Sequence, residues 1–285
     1  MGHIGICSLC LEWRPLSFEH VPPRRAFNSR PAVAHTIYGL RVGSTHAKSP
    51  PLLKGAAGLG RHALCEQCNG RTGALYGDAF AEWTVQCLRY AERLRDTSTV
   101  LLPFTVRPLN VVKQIATMII AVSGSTVSSP SMDAVRHFVL SPQSMHLPPD
   151  VSFKVYFNPS DPARTAKPLL TQNRLSESCA ILDVRTGTSV FVLAEVSFPP
   201  MGYVAFVAKS NERVSDDFAS LCDIRRFTCY SLGREVTLMF QMPVRYPFGP
   251  VPGYYPNLNN SRERQFVDDD HVVLAGKSNA ANPVH

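Results

Sequence analysis

The chain has 285 residues, of which 45% are hydrophobic and 18% charged; that balance excludes wholesale disorder and supports a sizeable buried core. No stretch reaches the roughly 20 uninterrupted apolar residues of a membrane span, and the N-terminus lacks the basic and apolar regions of a signal peptide, so a cytoplasmic protein is expected. The net charge of +7 sits mainly in the first third, where residues 1–100 carry 12 Lys and Arg against 7 Asp and Glu, which points to a polyanionic partner.

Residues 1–28 read as a cysteine knuckle, a short strand and a turn. Leu16-Ser17-Phe18-Glu19-His20-Val21 alternates between apolar and polar, and Pro22-Pro23 then ends any ladder pairing. Residues 29–60, rich in Gly, Ala, Ser and Pro, read as a long loop with one strand around Thr36–Val42. From Cys68, the residues Leu75, Tyr76, Phe80, Trp83, Cys87, Leu88, Ala91 and Leu94 recur at spacings of three and four. That period predicts an amphipathic helix to about Arg95, with Glu82, Arg89, Glu92 and Arg93 on its wet faces. Phe80, Trp83 and Tyr90 are expected in the core.

Asp96-Thr97-Ser98-Thr99 marks a boundary between residues 1–96 and 97–285. Beyond it, Asn110–Val122 reads as a buried helix followed by a Ser-rich run. Val151–Phe157, Ser178–Val184, Ser189–Phe198, Tyr203–Ala208, Phe227–Ser231 and Glu235–Met242 read as strands, with a hairpin turn at Arg185–Thr188. Glu195 is expected to face solvent by alternation. From about 243 the tail is rich in Pro, Tyr and Asn and reads as irregular; its acidic run Asp268-Asp269-Asp270-His271 reads as a solvated stretch. The fold class expected is α+β, an N-terminal zinc module followed by a mainly β C-terminal domain.

Among the eight cysteines, Cys7, Cys10, Cys65 and Cys68 form two Cys-x-x-Cys pairs separated by 54 residues. Cys87, Cys179, Cys222 and Cys229 show no pairing pattern. Cytosolic thiols stay reduced, and a redox Cys-x-x-Cys site accounts for one pair, not two. Two such pairs have the spacing that arranges four thiolates around Zn²⁺.

Three pieces of the basic third carry chemistry: the first knuckle, Glu19-His20-Val21-Pro22-Pro23, and Leu64-Cys65-Glu66-Gln67-Cys68-Asn69 with Arg71-Thr72-Gly73 after it. Phosphodiester hydrolysis needs a base to deprotonate water and a divalent ion to stabilise charge on the phosphate and leaving oxygen. Histidine suits the first task near neutral pH. A hard ion such as Mg²⁺ or Mn²⁺ takes oxygen ligands from a carboxylate and an amide. Glu19, His20 and Asn69 supply that inventory, although Asn69 also suits a helix N-cap. Arg24, Arg25, Arg61 and Arg71 flank the motif and are candidates for phosphate contacts, or simply exposed cations. Arg outnumbers Lys by 22 to 7, which fits bidentate phosphate recognition and equally a GC-rich coding sequence.

Together these pieces resemble the HNH nucleases, also called ββα-metal or treble-clef endonucleases. The match is to the zinc-stabilised branch with an E-H-[IV]-[IP]-P signature and a C-x-x-C-N ending, and it covers roughly residues 5–80. The resemblance implies a metal-dependent endonuclease that acts on DNA in restriction, phage defence or a mobile element. It makes Glu19 a metal ligand, His20 the general base, Asn69 the second metal ligand of a catalytic Mg²⁺ or Mn²⁺, and the four cysteines the ligands of a structural zinc. The family carries a bracing Asn shortly before the third cysteine; here that position is Gly60, followed by Arg61 and His62, and His62 is either its substitute, a DNA-facing group, or a solvated loop residue. The competing expectation is a catalytically weak zinc-knuckle module that binds nucleic acid or protein. In either case residues 97–285 are left for substrate choice, self-association or a partner protein.

Overall fold

The computed structural model describes residues 3–29, 32–36, 53–55, 58, 60–93, 99–125, 129–157, 164–166, 170–171, 174–175, 180–183, 188–198, 200–207, 221–243 and 272–275. Strands β1 (His3–Ile6) and β2 (Trp13–His20) form an antiparallel hairpin in which Ile6 pairs with Trp13. The knuckle Cys7–Cys10 is its turn. On the other edge of β2 lies β5 (Gly60–Cys65), giving a three-stranded sheet in the order β1-β2-β5. The stretch expected as a loop contains two strands, β3 (Ala32–Thr36) and β4 (Leu53–Gly55). A tail strand, Val272–Ala275, pairs with β3, so the tail is not irregular throughout. Strands of three to five residues carry too little alternation to be read from sequence. Residues 37–42, also expected as strand, lie outside the described residues.

β5 runs straight into a helical rod: α1 (Glu66–Thr72), a π-turn (Gly73–Gly77) and α2 (Asp78–Arg93) follow with right-handed helical dihedrals at both junctions. The helix starts at Glu66, two residues earlier than the periodicity suggested, because extended Cys65 (φ −69°, ψ 159°) is its cap. Asn69 therefore lies inside the first turns and is not the N-cap. The buried face of α2 is the expected one, Phe80, Trp83 and Cys87, with Glu82 and Arg89 exposed.

Trp83 packs against Phe104, Phe227 and Phe240 at centroid distances of 4.8, 5.8 and 5.7 Å. Phe104 belongs to β6 (Thr99–Val106), which pairs over its whole length with β15 (Val236–Pro243). β6 escaped the sequence reading because its polar start and Pro103 hide the alternation; a two-stranded ribbon tolerates that proline. Half-buried Tyr90 meets this ribbon and donates to the Pro103 carbonyl at 2.6 Å.

All sixteen residues of α3 (Pro108–Ser123) are buried. Pro108 opens the helix, and Gly124, at φ 81°, lets the chain leave it. A helix apolar on most sides must be enclosed, and α3 is enclosed by the π-turn, α2, the helix α4 (Pro130–Leu140) and the sheet. Its polar side chains are joints: Asn110 Nδ2 donates to Leu75 O and its Oδ1 accepts from the Gly233 N–H, both at 2.8 Å. Lys113, fully buried, donates to the carbonyls of Phe138 and Ser141 at the end of α4, where a cation is favoured. α4 was not expected; Ser129 caps it by accepting the Met132 N–H at 3.1 Å.

The large antiparallel sheet has the order β11 (Ala180–Asp183), β12 (Thr188–Phe198), β13 (Met201–Val207), β7 (Val151–Phe157), β14 (Cys222–Asp223), with β8 (Arg164–Ala166) also paired to β12, while β9 (Leu170–Thr171) and β10 (Arg174–Leu175) pair with each other. Asp183 pairs with Thr188, while residues 185–187 of the expected turn, the Glu195 side chain and Asp268–His271 lie outside what is described. The strand expected at Phe227–Ser231 is instead a 3₁₀ turn, Arg225–Cys229. Asp223 Oδ1 accepts the Arg225 N–H at 2.7 Å, and the Arg225 guanidinium gathers the carbonyls of Leu147, Pro148, Pro149 and Val151; that turn drives Phe227 into the core. The protein is thus an α+β fold with a cysteine cluster near its N-terminus. Buried residues from both sides of residue 96 form one contiguous core, and among the described residues no helix is long and apolar enough to cross a membrane.

Asn110→Ala removes two hydrogen bonds, one to the carbonyl of half-buried Leu75 and one from the N–H of exposed Gly233. At about 0.5–1.5 kcal/mol for each hydrogen bond, the change should lower unfolding stability by roughly 1–3 kcal/mol, measured by denaturant titration. A loss below about 0.5 kcal/mol, the usual range of surface changes, would deny Asn110 this bridging role.

Candidate functional site

The knuckle is held by its own backbone: the Cys7 N–H donates to Glu12 O and the Leu11 N–H to Cys7 O, each at 2.9 Å, with Leu11 at φ 62°. Opposite it, β5 carries one residue more than β2. The pairing passes from Ser17–Leu64 to Phe18–His62, so Ala63 is bulged. Its carbonyl accepts the Ser8 N–H at 2.8 Å, and the Cys65 N–H points at Cys7 Sγ at 3.3 Å. The bulge thereby sets the second cysteine pair against the first.

The four sulfurs of Cys7, Cys10, Cys65 and Cys68 lie within 4.8 Å of one another, and Cys10 Sγ is 4.0 Å from Cys65 Sγ. A tetrahedral zinc site with Zn–S bonds of ~2.3 Å has edges of ~3.8 Å. The cluster matches that size and can hold a metal ion such as zinc. Without an ion, the Cys68 thiol donating to Cys7, helped by backbone N–H groups of Cys10, Cys65 and Leu9, pulls the Cys7 thiol down to about 4 against the effect of burial. The Cys68 thiol, donor to Cys7 and itself buried, is pushed up. A site with one thiolate already favoured is prepared for a cation that displaces the remaining protons.

Two arginines tie the cluster to the fold, and one had no sequence signal. Arg136, buried on α4, donates through Nε to Ser8 O at 2.8 Å, across 128 residues, while its Nη1 meets Asp133 at 2.6 Å. Arg61, expected among the phosphate-facing residues, donates to the Val122 carbonyl near the end of α3 at 2.9 Å. Arg24 and Arg71 stand exposed, and Arg25 forms an exposed ion pair with Asp78.

Asn69, on α1, reaches back to β2: its Nδ2 donates to Ser17 Oγ at 3.0 Å and to Phe18 O at 3.3 Å. Ser17 in turn donates to Leu64 O at 3.0 Å. With its NH₂ group so engaged, Asn69 keeps its amide oxygen as the remaining acceptor. Glu19, two residues beyond Ser17, lies on the same face of β2 by strand alternation. It is 6% exposed, and burial pushes its carboxyl up to about 8. His20 projects from the opposite face, half-buried, its ring edge-on to Phe18 at 5.0 Å. The structure thus brings Glu19 to the face that Asn69 anchors and sets His20 across the strand from them.

The chain after β2 is fixed by Asn28, a residue the sequence reading passed over. Buried, it donates through Nδ2 to Pro22 O at 2.7 Å. Gly58, at φ +110°, presses on it so closely that a Cβ would sit 2.2 Å from the Asn28 carbonyl. Gly60 pairs with His20, and a Cβ there would lie 2.1 Å from Glu19 O, so no side chain fits at that position. His62 is exposed, stacks on His3 at 3.9 Å and has Nδ1 3.2 Å from Leu16 O.

Protein purified without chelator should carry one zinc per chain by elemental analysis. Stripping it should unfold the N-terminal region rather than merely silence it, since such sites contribute ~10–16 kcal/mol of folding energy in small zinc modules. Glu19 sets a second expectation. Because its folded value is raised from 4.5 to about 8, the native state holds a proton that the unfolded chain releases. Its stabilising effect is complete below pH 4.5, erodes as pH rises and is gone above about 8. Glu19→Gln should therefore match the parent at low pH and exceed it above pH 8 in denaturant midpoint; parallel pH profiles would refute the burial assignment. Comparison of the chain with protein-family models, curated proteins and solved structures returns no match.

Proposed function

We propose that the chain is a metal-dependent HNH-type endonuclease hydrolysing phosphodiester bonds in DNA, with β2, β5 and α1 as its ββα-metal module and the four cysteines as its structural zinc site. The observation that carries this reading is the Asn69 anchor on Ser17 and Phe18, which sets an amide oxygen on the same strand face as a buried carboxylate, directly before His20.

Glu19 and Asn69 form a donor set suited to a hard divalent cation: a carboxyl that burial alone keeps protonated, and an amide whose NH₂ group is already spent. A cation so held would stabilise charge on the phosphate and on the departing oxygen. In-line displacement needs the attacking and leaving oxygens on opposite sides of phosphorus. Consecutive residues of an extended strand point to opposite faces, so Glu19 and His20 flank a phosphodiester lying across the end of β2. His20, on the far side from Glu19, takes the proton of the attacking water as general base. Its orientation is held by Phe18, and Asn28 fixes the chain immediately after it, doing from the other side the bracing that a side chain at position 60 has no room to do. Exposed Arg24 and Arg71 supply phosphate contacts.

His20→Ala should reduce plasmid nicking by about 10²–10⁴-fold, with zinc content and affinity for duplex DNA unchanged. Glu19→Ala and Asn69→Ala should lose activity that partly returns at higher Mn²⁺. Undiminished cleavage by His20→Ala, or no cleavage by the parent with either ion, would leave the protein a zinc-knuckle binding module. DNA affinity should also fall steeply with salt, because each neutralised phosphate releases counterions; a flat salt response would remove the phosphate contacts.

A further inference from the structure

On the face of the β1-β2-β5 sheet opposite Glu19, four rings follow one another toward the strand end. His3 stacks on His62 at 3.9 Å with an interplanar angle of 28°, Phe18 meets His62 edge-on at 5.4 Å, and His20 meets Phe18 edge-on at 5.0 Å. His3, His62 and Phe18 are exposed, Phe18 at 39%. We propose that this row is a stacking ledge for unpaired nucleobases, guiding a single-stranded segment of nucleic acid to His20.

Three features favour that occupant. The rings are held in place before any partner arrives: all four come from paired strands of one sheet, and the Nδ1 of His62 lies 3.2 Å from Leu16 O, which fixes its plane. A rigid aromatic face loses little conformational entropy on binding and accepts any base, because every base has a π-face. The surface is built of imidazole and phenyl rather than aliphatic groups, and the chain carries a net charge of +7, which draws a polyanion to it. A duplex keeps its bases stacked on one another and offers such a ledge only its backbone. The inference rests on the nuclease reading in that His20 is the reacting end of the row.

The test uses the full-length, zinc-loaded protein without added Mg²⁺ or Mn²⁺, so that nothing is cleaved. A labelled oligonucleotide is titrated as a single strand and as its duplex, with anisotropy as the readout. Phe18→Ala should weaken single-strand binding by about 5- to 150-fold, the range of a lost base–aromatic stack, and leave duplex binding within about twofold. Phe18→Trp should restore it, and zinc content verifies that each variant is folded. Equal losses on both forms, or none on either, would overturn the ledge while leaving the nuclease reading in place. A parent protein that binds neither form would overturn both.

Discussion

The fold depends on the complete burial of α3. Sixteen residues without a solvent-facing side carry polar groups that water cannot reach, and several of these bond to distant parts of the chain. Asn110 joins the π-turn at Leu75 to the turn at Gly233, Lys113 takes the terminal carbonyls of α4, and the Val122 carbonyl receives Arg61 from β5. Breaking such a joint costs more than the net energy of its bond wherever the group left behind is buried, because that group has already given up its hydration. The helix that fills the centre therefore also fixes the position of the N-terminal sheet.

That sheet carries the candidate site, and its geometry follows from one extra residue. The bulge at Ala63 turns a carbonyl toward Ser8 and brings Cys65 under Cys7, while Arg136 holds the same Ser8 from α4. The cysteine cluster is consequently a junction between a hairpin, a helix start and the core, rather than an isolated knuckle. A metal ion held at such a junction would be coupled to the register of β2 against β5, and hence to where Glu19 and His20 stand.

The two faces of β2 divide the labour in the proposed reaction. The helix-facing side carries Ser17 and Glu19 with Asn69 above them; the other carries Phe18 and His20 beside His62. A cation and a general base that must act from opposite sides of one phosphorus are separated by the alternation of a single strand. Phe18 then has two neighbours with different proposed uses, His20 as general base and His62 in the ledge, so one exposed ring would link binding to the reacting end.

The sequence by itself determined the local features. Two Cys-x-x-Cys pairs identify the four clustered sulfurs, the three-and-four spacing of Phe80, Trp83 and Cys87 identifies the buried face of α2, and the apolar run 110–122 identifies α3, because each signal is a spacing within one element or one short motif. Adjacency in Glu19-His20 and the residue following Cys68 were enough to select the candidate site. The tertiary structure alone decided what crosses the chain. Arg136 reaching Ser8, β6 pairing with β15, and Asn28 bonded to Pro22 with Gly58 packed on its backbone depend on contacts that no periodicity encodes. It also decided Phe227–Ser231, whose apolar and aromatic residues read as a strand. A strand needs a partner ladder, and there the Arg225 guanidinium on four carbonyls and the Asp223 cap hold the backbone in a 3₁₀ turn instead.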